Sequence, residues 1–272
     1  MQPVPLSTKF RTRILVITGE EIRHRYFVNQ MNARFPLAAV FTEAFDYPEP
    51  KAASTAEEKA WNWFFRRRQE YENRAFGDTS LLPALNSPPV GKIGKGRINS
   101  PETVEKIKRI KPDFIAIFGT SLLGPGFINA FPGRIYNLHV GLPDYYRGTS
   151  CNFWPIHNNR IEHLGASVHQ VTEEIDGGEI TAMAEISLEA EDDEQTLAGK
   201  TVILGTQLMI ATIENWQKGK LPPSHPQKKG RLFLMKDFTP QAVFKVRRMV
   251  ETGELKKQIA LIHRTERKNA LS

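Results

Sequence analysis

Short runs of Ile, Val, Leu and Phe recur along the first half of the chain: RILVITG at 13–19, LAAVFTE at 37–43, FIAIFG at 114–119 and RIYNLHV at 134–140. Each is too short for a stable helix, and two of them are apolar at odd and even positions alike. Strands buried on both faces read this way, and they typify parallel sheets covered by helices. The stretches between supply those helices. Ile22, Tyr26 and Phe27 share one side of a helical segment, with Met31 a turn later. NSPETVEKIKRIKPD offers Asn99 or Ser100 as cap, Pro101 in the first turn, and Val104 and Ile107 facing inward. This alternation predicts an α/β chain with a mostly parallel, twisted, Rossmann-like sheet.

GASVHQV and EITAMAEISL read as two further strands, joined by TEEIDGG. A helix from about Glu194 to Lys218 follows, carrying Leu197, Leu204, Leu208 and Trp216. GKLPPSHPQKKGR looks like a linker, and after it come LFLMKDF, a helix from about Pro240 to Thr252 and a charged tail. The pattern divides the chain near residue 190, into a main domain (1–190) and a smaller, mainly helical appendage (191–272). An insertion runs from about Phe45 to Asn99. Within it Ser54 and Glu57 form a capping-box pattern before EEKAWNWFFRRRQEYENRAFG, Gly77 is a stop, and Pro83 to Gly96 reads as a long surface loop.

Composition narrows the class. The 272 residues suffice for a real core, and no apolar run approaches the roughly 18 residues of a membrane helix. The N-terminus lacks a signal-peptide apolar region, which fits a cytoplasmic protein without a membrane partner. Cys151 is the single cysteine, so a disulfide framework and a cysteine-rich metal site are excluded, and it reads as a packing residue. Much of the formal +7 charge lies near the C-terminus. Such charge can hold RNA or anionic metabolites. No aromatics interleave with it, so it reads as a solvated face with a frayed basic tail.

Chemistry concentrates in one stretch. Asn137 and His139 are two apart at the end of a strand, so their side chains share a face. Ligands bind beyond the carboxyl ends of strands in open α/β sheets. Asn brings a fixed N–H donor, and His a proton acceptor or donor near neutral pH. Asp176, on a glycine-flanked turn, can orient the imidazole or take a proton through water. The set suits attack of an amine on a carbonyl, where an oxyanion needs donors and the amine must lose a proton. Each residue alone also fits a structural role. No HExxH or other His pair supports a metal site, and GKIGKG lacks the spacing of a phosphate-binding P-loop.

Together, NLH, the following GLP and GASVHQVTEEIDGG resemble the core of the folate-dependent formyltransferases. That group includes glycinamide ribonucleotide, methionyl-tRNA and sugar-nucleotide N-formyltransferases. The likeness runs from Phe114 to Ile180 in motifs and over residues 1–190 as a fold. It implies catalysis by Asn137, a protonated His139 and Asp176, with 10-formyltetrahydrofolate as co-substrate and no metal. It frames the folate with Phe118, Gly119, Ser121, Leu122, Leu123, Ile135, Val171, Thr172 and Glu173. Tyr146, Arg147, Thr149 and Asn152 become candidates for acceptor contact, and His169 fits either the site or the strand.

Departures from the pattern bear on the acceptor. GEEIRHR stands where purine-pathway members carry a Gly-Ser-Asn phosphate loop, and two carboxylates would repel a phosphate. The short loop and YYRGTSCNFWP look most like the amino-sugar branch. Trp61, Trp63 and Phe64 beside Arg66, Arg67 and Arg68 would suit a base and a diphosphate, or equally a helix with one buried aromatic face and one solvated basic face. The expected acceptor is a nucleotide-linked amino deoxysugar for surface polysaccharide, with nucleic acid disfavoured and a homodimer compatible. Methionyl-tRNA, hydroxyornithine and a non-catalytic folate-binding module are the alternatives.

Overall fold

The computed structural model describes residues 12–44, 51–77 and 87–271. Phe45 and Pro83, where the expected insertion and loop begin, lie outside them. In chain order the elements are β1 (Ile14–Thr18), α1 (Ile22–Arg34), β2 (Leu37–Glu43), α2 (Thr55–Phe76), β3 (Val90–Ile93), α3 (Pro101–Ile110), β4 (Phe114–Phe118), α4 (Pro125–Ala130) and β5 (Ile135–His139). Then come β6 (Tyr146–Gly148), α5 (Trp154–His157), β7 (Gly165–Gln170), β8 (Ile180–Glu185), α6 (Glu194–Gln217), β9 (Arg231–Phe233), α7 (Pro240–Glu251) and α8 (Glu254–Leu271).

Seven strands form one sheet in the order β3-β2-β1-β4-β5-β7-β8. Pairing is parallel from β3 to β5 and antiparallel from β5 through β7 to β8. The expected α/β class with a mostly parallel sheet is therefore observed, with helices α7 and α8 after it. Period-2 geometry sends alternate side chains to opposite cores. Ile14 and Val16 of β1 join Phe114 and Ala116 of β4 beneath α1 and α6, while Leu15, Ile17, Ile115 and Ile117 face α3 and α4.

Helix α6 has the length and apolar composition of a membrane span, at odds with the sequence expectation. Its apolar face packs on the sheet through Val202, Met209 and Ile213, which explains that composition as a core helix's. A second core forms where α2, α5, α7 and α8 meet, around Trp61, Phe153, Trp154, Val246, Leu255 and Ile259.

Three local expectations are corrected. Part of the expected loop before Gly96 is β3, which pairs with β2 as the sheet's edge. Glycine and proline at its ends hid a strand that needs one paired side only. The expected linker is bonded on both sides, with His225 bridging Ile180 and Arg231–Phe233 pairing with β6. The charged tail is helix α8, ordered by burial of Leu255 and Ile259.

Candidate active site

Strand β5 carries Asn137 and His139 on one face to its carboxyl end, and antiparallel register sets His169 of β7 opposite Asn137. The turn between β7 and β8 brings Asp176 back over them. Its φ of 44° lies in the left-handed region, which Asp tolerates better than most residues. Asp176 Oδ2 lies 3.5 Å from His139 Nδ1 and accepts from the Gly148 N–H at 2.8 Å. Asn137 Nδ2 donates to Asp176 Oδ1 at 3.3 Å and sits 3.1 Å from His169 Nε2. Residues far apart in sequence thus meet in one cluster.

Protonation follows from these partners. His169 Nδ1 faces the Gln170 carbonyl at 2.9 Å, and its Nε2 lies within reach of both Asn137 Nδ2 and, at 3.4 Å, Asp176 Oδ1. His139 lies between two oxygens, with Nε2 at 3.2 Å from the Tyr146 carbonyl. Burial pushes its pKa below the usual imidazole value; attraction to Asp176 opposes that shift without cancelling it, and His169 adds to it. Burial thus favours the neutral ring, whereas the two facing oxygens favour the protonated one that the resemblance implied. Burial works against ionised Asp176, but His139, His169 and the Gly148 N–H outweigh it and hold the carboxyl below its ordinary range. The cluster offers a fixed carboxylate, an imidazole and an amide donor.

These groups open into a cavity of about 1320 Å³. Phe118, Gly119, Ser121, Leu122, Leu123, Val171, Thr172 and Glu173 line it, as do Thr149 and Asn152. Ile135 does not. It shares the face of Asn137 but sits two residues deeper, packed with Leu15, Ile17 and Ile115. Tyr146 turns its ring into the second core against Phe233, its hydroxyl near Asn158, and meets the site only through its carbonyl. Arg147 is spent on bracing loops, with Nη1 2.7 Å from Glu174 Oε1 and Nε donating to the Gly230 carbonyl at 3.0 Å. Cys151 is buried, and burial raises its thiol pKa.

The aromatic and arginine run on α2 is divided by helical period. Trp61 is buried against Phe65 and Phe238, and Arg67 bonds the buried Glu194, while Arg66 lies outside with Glu70 3.8 Å away. Phe64, Phe65 and Arg68 reach the cavity wall. Sequence reading missed His24, Tyr71, Gln195 and Lys236 there, since their nearness to the site depends on helix docking. The side-chain amide nitrogen of Gln195 is buried without a partner.

A family model described as formyl transferase matches residues 78–213, half of the chain. Solved structures agree in fold. A sugar N-formyltransferase from Shewanella sp FDAARGOS_354 superposes with a TM-score of 0.56 at 14% identity, over 83% of this chain and 78% of that one. A phosphoribosylglycinamide formyltransferase from Anaplasma phagocytophilum gives 0.55 at 14%, over 83% and 99%. WlaRD, a sugar 3N-formyl transferase solved in the presence of dTDP and 5-N-formyl-THF, gives 0.53 at 14%, over 84% and 72%. At these identities the likeness is one of fold.

Proposed function

The chain belongs to the formyl transferase family, and from that premise we propose that it formylates the amine of a nucleotide-linked amino deoxysugar, with 10-formyltetrahydrofolate as donor. The observation that carries this reading is the convergence of Asn137, His139 and Asp176 on one large cavity. Its volume of about 1320 Å³ exceeds the roughly 300–1,000 Å³ that serves a single small ligand, leaving room for donor and acceptor together. The wall from Phe118 to Leu123 and from Val171 to Glu173 combines apolar side chains with backbone groups, which fits a flat heterocycle. Bound there, the donor would supply a formyl carbon already activated by its nitrogen substituent.

The chain's own groups divide the remaining work. With its Nε2 proton directed at the Tyr146 carbonyl, His139 keeps a lone pair at Nδ1, facing Asp176. A proton leaving the acceptor amine, directly or through water, is taken at that nitrogen, the carboxylate stabilises the imidazolium formed, and that proton passes to the donor nitrogen as its bond to the formyl carbon breaks and tetrahydrofolate leaves. Asn137 releases its long bond to Asp176 and turns that N–H to the oxygen on which negative charge develops. His169 fixes the amide through its other hydrogen.

Acceptor choice rests on which groups stand at the helix end and which elements follow residue 218. Glu21 stands at the N-cap of α1 with its carboxylate paired with Arg23, where an open helix end would hold a phosphate. This disfavours glycinamide ribonucleotide. Among the described residues after 218 the strand content is β9 alone, which disfavours a barrel for tRNA. We place the reaction in the cytoplasm, as a step toward a surface polysaccharide. The test is a panel of amines assayed for release of tetrahydrofolate with mass detection of product. A dTDP- or GDP-linked 3- or 4-amino deoxysugar should exceed methionyl-tRNA, hydroxyornithine and glycinamide ribonucleotide in kcat/KM by about tenfold or more. A better rate with any of those three would overturn the acceptor assignment.

A further inference from the structure

The segment from Leu221 to Phe238 lies beyond the matched family region, yet it is bonded to both loops that shape the catalytic cluster. On one side it grips the loop after β5. Gly230 N–H donates to the Pro143 carbonyl at 2.9 Å, Arg231 N–H to that of Tyr145 at 3.0 Å, and Thr149 N–H to that of Phe233 at 2.8 Å. That loop supplies the Tyr146 carbonyl beside His139 and the Gly148 N–H on Asp176. On the other side the segment flanks the Asp176 turn. Lys229 Nζ lies 2.9 Å from Glu174 Oε2, Gln227 bonds the Gly178 carbonyl, and His225 exchanges two backbone bonds with Ile180. Arg147 spans the two sides through Gly230 and Glu174.

Close packing makes the contact rigid. A Cβ on Gly230 would lie 2.2 Å from the Tyr145 carbonyl carbon, and one on Gly148 would lie 2.1 Å from the Phe233 oxygen. Both neighbours are backbone, so neither can yield without moving a chain segment. The exposed Lys229–Glu174 pair contributes little by itself. We propose that residues 221–238 act as a strap, a positioning element that locks the Gly148 loop against the Asp176 turn and so sets the distance between the Asp176 carboxylate and the His139 imidazole. The proposal rests on the catalytic reading of those two residues, and its test needs no substrate.

The test is imidazole ¹⁵N NMR of the full-length protein alone, at pH 7 and through the acid range, with the His139 signal assigned from His139→Gln. Gly230→Ala forces the strap off Tyr145 without touching the cavity or changing charge. The titratable groups facing His139 are Asp176 from the turn and His169 from β7, with Cys151 of the loop nearby against Gly141. If the strap holds Asp176 in place, Gly230→Ala shifts the His139 ring signals at pH 7 and lowers its protonation midpoint, leaving His263 unmoved. Gln227→Ala, which deletes one bond and keeps the backbone, should give a smaller shift in the same direction and covers the case that Gly230→Ala fails to fold. His139 spectra identical to wild type at every pH in folded Gly230→Ala, or in Gln227→Ala alone should Gly230→Ala not fold, would overturn the proposal. Failure to find an acceptor would leave this result standing.

Discussion

At the scale of single residues, the proton inventory of His139 governs what the site can do. A neutral base must shed its proton as pH rises, so activity limited by chemistry should fall as pH drops through the His139 pKa. Burial places that value below the usual 6.5 in the free protein, so the acid limb of kcat/KM should inflect below about 6.5, with Asp176 ionised throughout. A limb centred above 7 would contradict a neutral resting imidazole. Replacing His139 or Asp176 by Ala should lower turnover by about a hundredfold or more, while donor binding, read by isothermal titration, stays near wild type. The pairing of Asn137 with His139 was legible because strand parity needs only local sequence. His169 was not, since its place opposite Asn137 depends on the register of β5 with β7. Ile135 shows the converse limit: parity gives the face, and only the sheet gives the depth.

Elements were legible where one pattern dominated. The central strands announced themselves by being apolar throughout, and Ser54, Ser100 and Gly77 do mark helix ends as their chemistry demands. β3 and α8 were hidden because few of their described side chains are buried, and their order comes from neighbours. The arginine run on α2 tests how period divides labour. Arg67→Ala strands the carboxylate of Glu194, whose side chain is 1% exposed, and should cost roughly 3 kcal/mol in urea unfolding. Arg66→Ala removes an exposed side chain and should stay within about 0.5 kcal/mol. Equal losses would mean that α2 docks in another rotation. In α8, Leu255→Ala should cost roughly 2–5 kcal/mol by the same measurement, whereas a frayed tail would lose nothing.

On the scale of the whole molecule, the sheet delivers Asn137 and His139, α2 and α6 close the far wall, and residues 221–238 bond to both the Gly148 loop and the Asp176 turn. The cavity exists only in that assembly, which is why sequence motifs reached the wall from Phe118 to Leu123 and from Val171 to Glu173 and missed most of the wall formed by helices. Its size is the basis for expecting two substrates at once, and transfer between them is the central claim. The most direct measurement uses 10-formyltetrahydrofolate labelled with ¹³C in the formyl group and dTDP-linked 4-amino-4,6-dideoxyglucose, followed by mass spectrometry. The wild-type protein should place the label on the sugar amine, and His139→Ala should do so about a hundredfold more slowly. Label recovered as free formate, or transfer undiminished in His139→Ala, would contradict the account.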